Sequence, residues 1–315
     1  MVSPQARALD AILRQAPKAV EVDLPHQREA GEHAEDLAAD PVGVAYAVAE
    51  NVAGLWATPD NWDGRAALMY LSGGGYVISS PATRRKLAGH LALASRARVL
   101  VPRYRLAPEH PFPAAVEDAV AACLWLVAQG IRSQETVIAG DSNAGGLAIA
   151  TMLKLREDGS PLPAGCVAIS PWVDLACSGE SLESRAAVDL TVTKASLQRM
   201  AGQYLHGTDP RTPLASPLYA ELAGLPPLLV VVGGNEVLLD DAVRLVRAAG
   251  IAGVDATLVI GGGMQHGYPI YAGYLPEADA TVALIGRWIR ERVSGDRGWT
   301  GMNITAADRI AGAWD

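Results

Sequence analysis

Thr136–Glu157 reads TVIAGDSNAGGLAIATMLKLRE. An apolar run passes without a gap through Gly140-Asp141-Ser142-Asn143-Ala144 into a small-residue stretch with helical patterning. That is a strand, a sharp turn and a helix, the context a nucleophilic serine requires. Residues two before and two after the serine must be small for strand and helix to approach, and Gly140 and Ala144 fill those places, with Gly145 and Gly146 behind them. Ser142 would then stand at the top of a sheet beside a helix N-terminus, which favours developing negative charge. An ordinary N-cap serine at a strand-to-helix turn gives the same local pattern, so the flanking segments have to decide between the two readings.

Working outward, short apolar runs recur at Ala66–Leu71, Val99–Tyr104, Thr136–Ala139, Cys166–Ser170, Leu228–Val232 and Ala256–Ile260. Helix-patterned segments lie between them at Ala82–Arg96, Ala114–Gln129, Ala144–Glu157, Asp240–Ala249 and Ala278–Val293. Strands buried on both faces read as continuous apolar runs, and alternation with helices predicts a mostly parallel, doubly wound α/β sheet. VGVAYAVAE and VAGLWAT, either side of a turn near Asn51, add a β-hairpin at its start, for about eight strands in all. The stretch between Ser170 and Leu228 is too long for one crossover, and Thr193–His206 inside it has helical character. The expectation is a single domain over residues 1–315, with a core of about 42–174 and 213–295. A helical cap is expected from about 1–40 and 175–212.

Three glycines in Leu71-Ser72-Gly73-Gly74-Gly75-Tyr76 follow an apolar strand. They expose backbone N–H groups in a loop, as an oxyanion hole requires. Gly73 and Gly74 are expected to donate together with the N–H of Asn143, the residue after the nucleophile. A phosphate-binding loop would need Lys-Ser/Thr after its last glycine, and Tyr76-Val77 stands there. Of six histidines, only His266 directly follows the last candidate strand, in the loop Gly261–Tyr268. The order serine, acid, histidine along the chain makes it the base. The acid should lie just past Leu228–Val232. Glu236 is the first carboxylate reached, and Asp240 and Asp241, a helical turn later, are its rivals. Glu236 is preferred because helix N-terminal charge accounts for the other two.

These segments resemble the hormone-sensitive-lipase-like esterases, the bacterial family IV carboxylesterases of the α/β-hydrolase fold. SGGGY is similar to the family's His-Gly-Gly-Gly loop and GDSNAGG to its Gly-Asp-Ser-Ala-Gly-Gly elbow. YRLAPEHPFPAAVED (Tyr104–Asp118) is the most specific match. It reads as structural, a buried polar network. Laid on the family's Asp-Pro-Leu-x-Asp loop, Glu236 takes the catalytic place and Asp240 the structural one. Three departures stand out: Ser72 for the loop histidine, Ala144 for the second elbow glycine, and Glu236 for aspartate.

The resemblance implies a serine carboxylesterase acting on short- to medium-chain esters through Ser142, His266 and Glu236 and an acyl-enzyme. It implies no cofactor and no metal. A lactone hydrolase or an acyltransferase would use the same triad. A non-catalytic ligand binder, as the related plant gibberellin receptors are, would lack the histidine. Activity is expected to rise through roughly pH 6 to 7, near the unperturbed imidazole pKa. The partner is a small-molecule ester, and a homodimer is compatible with the sequence. The net charge of −8 argues against nucleic acid and anionic membranes. Arg7, Asp10 and Arg14 interrupt every apolar stretch near the start, so neither a signal-peptide core nor a membrane span is read there. Cys123, Cys166 and Cys177 lack disulfide or zinc spacing. They read as free thiols, and the protein as cytoplasmic.

Overall fold

A computed structural model of the chain describes residues 2–15 and 23–293. Parts of the expected cap (16–22) and core (294–295) lie outside the described residues.

Eight strands form one sheet in the order β1-β2-β4-β3-β5-β6-β7-β8. They are β1 Val44–Ala49, β2 Gly54–Pro59, β3 Ala67–Leu71, β4 Arg98–Val101, β5 Thr136–Asp141, β6 Gly165–Ile169, β7 Leu228–Gly233 and β8 Ala256–Gly261. The hairpin β1–β2 is antiparallel, as is β2–β4, and β3 to β8 run parallel. The helices are α1 Pro4–Leu13, α2 Leu24–Glu32, α3 Arg85–Ser95, α4 Ala114–Ala128, α5 Asn143–Glu157, α6 Ser181–Ser184, α7 Lys194–Leu205, α8 Leu239–Ile251 and α9 Pro276–Val293. This is the α/β-hydrolase architecture, with the mostly parallel sheet the apolar runs predict. Among the described residues, no helix is long and apolar enough to cross a membrane.

The period-2 geometry of a strand explains why the runs are apolar throughout. Met69, Leu71, Leu100, Ile138, Cys166, Ala168, Val230 and Val232 point into a core shared with α4, α5 and α8. Their neighbours Leu68, Tyr70, Val99, Val137, Ala139, Val167, Leu229 and Val231 point into a second core shared with α3 and α9. Neither face of the central strands meets water, so polar side chains there, such as Asp141 at the end of β5, are hydrogen-bonded.

Two expectations need correction. The fourth strand stops at Val101, not Tyr104, because Pro102 has no N–H to continue the ladder. The YRLAPE segment is a buried polar network only at Tyr104, whose hydroxyl bonds to Ser72 O and Asn143; its charged residues are not buried. Arg105 pairs with Glu117 and Asp118, and Glu109 with Arg28, in ion pairs that remain partly exposed to water. The three cysteines are free and buried. Trp172 and Tyr204 are wholly buried core residues.

Candidate active site

The elbow begins with β5, whose last residue is Asp141, and α5 starts at Asn143. Ser142 between them has φ 57° and ψ −127°, a backbone state that a non-glycine residue adopts only when its surroundings hold it there. Three backbone bonds do so. Ser142 N–H donates to Ile169 O at 2.8 Å, and Ser142 O accepts from Gly145 N–H at 3.0 Å and Trp172 N–H at 2.9 Å. A Cβ at Gly140 would collide with the backbone of Ala144, and one at Gly146 with the carbonyl of Trp172. The added methyl of Ala144 is accommodated, wholly buried.

Asp141, next to the serine, is a buried hub that sequence reading left without a role. Its Oδ2 accepts from Arg84 Nε at 3.0 Å and Nη2 at 2.6 Å, and its Oδ1 from Tyr70 Oη and Gly73 N–H, both at 2.9 Å. Burial alone would push its pKa up. The Arg84 guanidinium and the hydrogen bonds outweigh burial, so the carboxyl sits below its usual range. The motif itself marks Asp141. Arg84 and Tyr70 are distant in sequence, and no local pattern marks them.

The glycine loop is tied at several points. Ser72 O accepts from Tyr104 Oη at 2.5 Å and from Ser79 Oγ at 3.1 Å. The Ser72 hydroxyl is buried with no partner among the described residues; the carbonyl of that residue, not its side chain, anchors the loop. The division of amides differs from the expected one. Gly73 N–H is committed to Asp141, whereas Gly74 N–H and Gly75 N–H converge on a single point, Asn143 Oδ1, at 2.8 Å each. Gly74 (φ 146°) and Gly75 (φ 63°) can turn successive amides inward because both adopt a positive φ.

His266 and Glu236 are in contact, with Nδ1 2.5 Å from Oε2. A carboxylate accepts and cannot donate, so Nδ1 carries the hydrogen and Nε2 is left with a free lone pair. Glu236 is wholly buried. Its other oxygen accepts from Gly233 N–H at 2.6 Å and Ser170 Oγ at 2.9 Å, and Ser170 Oγ accepts from Gly267 N–H at 3.0 Å. Ser170, at the end of β6, thus joins the acid to the histidine loop, a role the sequence did not suggest. Burial acts to lower the His266 pKa. The charge and hydrogen bond of Glu236, with smaller contributions from Asp189 and Asp141, prevail and raise it above the ordinary value.

The rival carboxylates are occupied elsewhere. Asp240 Oδ2 accepts from Ser181 N–H, and Asp241 Oδ2 from the N–H groups of Val173 and Asp174. Burial pushes Asp241 up to about 8. Ser142 is half-buried and its hydroxyl makes no hydrogen bond to another described residue. The imidazole–carboxylate contact between His266 and Glu236 is therefore formed, and Ser142 Oγ is not hydrogen-bonded to His266. Among the described residues no group of three or more His, Cys, Asp or Glu is placed to hold a metal ion.

Comparison with known proteins places the chain in a family. A family model for the alpha/beta hydrolase fold matches residues 68–270. An acetyl-hydrolase of Streptomyces hygroscopicus is 47% identical over 251 residues, 80% of this chain and 82% of that one. An esterase of Acinetobacter venetianus is 34% identical over 222 residues, 70% and 73% of the two chains. A crystal structure of an esterase from the bacterial hormone-sensitive lipase family superposes with a TM-score of 0.88 at 40% identity, covering 93% of this chain and 99% of its own. The chain belongs to the α/β-hydrolase family, and within it to the hormone-sensitive-lipase-like carboxylesterases. It is an ester hydrolase.

Proposed function

We propose that the protein hydrolyses short-chain carboxylic esters through Ser142, His266 and Glu236. The observation that carries this reading is the 2.5 Å contact of His266 Nδ1 with the buried Glu236 carboxylate, beside an elbow that holds Ser142 at φ 57°. His266 Nε2 takes the serine proton as Oγ attacks the ester carbonyl. Glu236 fixes the tautomer and stabilises the imidazolium that forms. The tetrahedral oxyanion is held by the N–H groups of Gly74, Gly75 and Asn143, since that of Gly73 serves Asp141. The imidazolium then protonates the leaving alcohol, leaving an acyl group on Ser142. Water, deprotonated by His266, releases it.

The cap is α1, α2 and the segment 175–212. Tyr204 of α7 stacks on Tyr76 with ring centroids 3.7 Å apart and planes 2° from parallel, and a Cβ at Gly75 would strike Met200 of the same helix. Asp10 of α1 accepts from Gln265 at 3.1 Å, next to the histidine. Large side chains this close to the glycine loop favour a short acyl group. The acetyl-hydrolase relative supports the same preference. A series of p-nitrophenyl esters from acetate to dodecanoate tests it. The expected kcat/KM peaks at two to four carbons and falls by more than tenfold at long chains, about the discrimination a few methylenes provide. A peak at ten or twelve carbons overturns the short-chain reading.

A further inference from the structure

We propose that the side chain of Asn143 occupies the oxyanion hole of the resting enzyme and must leave it before an ester carbonyl can enter. The inference rests on the serine-hydrolase reading above and concerns the same site. Asn143 Oδ1 lies 2.8 Å from both Gly74 N and Gly75 N, inside the 2.7–3.1 Å range at which oxyanion donors hold their target. An amide oxygen is the same kind of acceptor as an ester carbonyl oxygen, so it competes for the same two N–H groups. The side chain is wholly buried, and its Nδ2 donates to Tyr104 Oη at 3.3 Å. The resting position is thus a bonded one, held by three contacts.

A strut that merely keeps the loop in shape is the other role such a residue could have. The loop does not need one here. Gly73 N–H is held by the Asp141–Arg84 ion pair and Ser72 O by Ser79, neither through Asn143; Tyr104, which also holds Ser72 O, is the one anchor that Asn143 touches. The similar family elbow, Gly-Asp-Ser-Ala-Gly-Gly, carries alanine at this place, a side chain with nothing to offer the glycine amides.

Displacing the Asn143 side chain exchanges two neutral hydrogen bonds for two others while breaking the bond to Tyr104, so the closed state is favoured modestly. The test compares wild type with Asn143→Ala and Asn143→Asp on p-nitrophenyl acetate, together with inhibition by a phenylboronic acid, whose tetrahedral adduct fills the hole. Asn143→Ala is expected to raise kcat/KM by about tenfold, the worth of one or two modest hydrogen bonds, and to bind the boronic acid more tightly by a similar factor. Asn143→Asp keeps the shape and adds a charge that the amides hold harder, so it is expected to lose most of the activity and bind the boronic acid more weakly. A strut predicts the reverse for alanine: slower turnover and weaker boronic acid binding. Either that result or an unchanged rate overturns the proposal. Should the alanine variant fail to fold, an aspartate variant as fast as wild type also overturns it. Wild-type turnover that Ser142→Ala abolishes, without a gain in Asn143→Ala, removes this inference alone. Silence of both wild type and Asn143→Ala removes the hydrolase reading with it.

Discussion

The proposed chemistry turns on the electrostatics of one histidine. The carboxylate of Glu236 favours the charged imidazolium and outweighs burial, so His266 titrates above its ordinary value of 6.5. The base must be neutral to accept the serine proton. Activity therefore rises with pH, and the raised pKa moves the rise upward from the interval of roughly 6 to 7 expected for an unperturbed imidazole. A pH profile of kcat/KM should show a midpoint above the ordinary imidazole value of 6.5. Glu236→Gln should lower kcat by about 10³- to 10⁴-fold, because an amide can bind the wrong tautomer. A midpoint well below 6.5, or full activity in the Gln variant, would show that this pair does not serve the reaction. The three residues proposed to react each carry a local mark in the sequence: a small-residue elbow, a glycine loop after the last strand, the first carboxylate past β7. Ser170 and Arg84 carry none. Both act across the sheet through contacts that join residues 66 and 57 positions apart, and no local pattern encodes those.

At the level of elements, the site is the meeting of strand ends with loops that must not move. α3 is preceded by Arg84, and through the Arg84–Asp141 pair it fixes the first amide of the glycine loop to the end of β5. The pair is nearly sequestered from water, with side chains 10% and 3% exposed. Removing one partner leaves a buried charge without compensation. Arg84→Met should destabilise the fold by about 3–5 kcal/mol and slow turnover by unpinning Gly73, as read by chemical denaturation and by kcat. A loss below 1 kcal/mol would mean that water already screens Asp141. The apolar runs located six strands and the hairpin pattern the other two; the signature is clearest for β3, β5, β6 and β7, which are buried on both faces. The runs set the ends less well. β4 was read three residues too long, since Arg103 and Tyr104 continue a strand-like pattern after Pro102 has ended the ladder. The YRLAPE segment was taken as buried, yet its charges pair at the surface. Charge spacing alone does not reveal which side of a loop faces water.

Over the whole molecule, the sheet brings together residues that the chain keeps far apart. Ser142 follows β5, Glu236 follows β7 and His266 follows β8, and the parallel strands deliver all three to the C-terminal end of the sheet. The most direct test of the account is to trap the acyl intermediate. Rapid acid quench of a p-nitrophenyl acetate reaction, followed by peptide mass spectrometry, should find an acetyl group on the peptide containing Ser142. The adduct should be absent from Ser142→Ala, whose kcat should fall by about 10⁶-fold. An acetyl group on another residue, or a Ser142→Ala variant within tenfold of wild type, would contradict it.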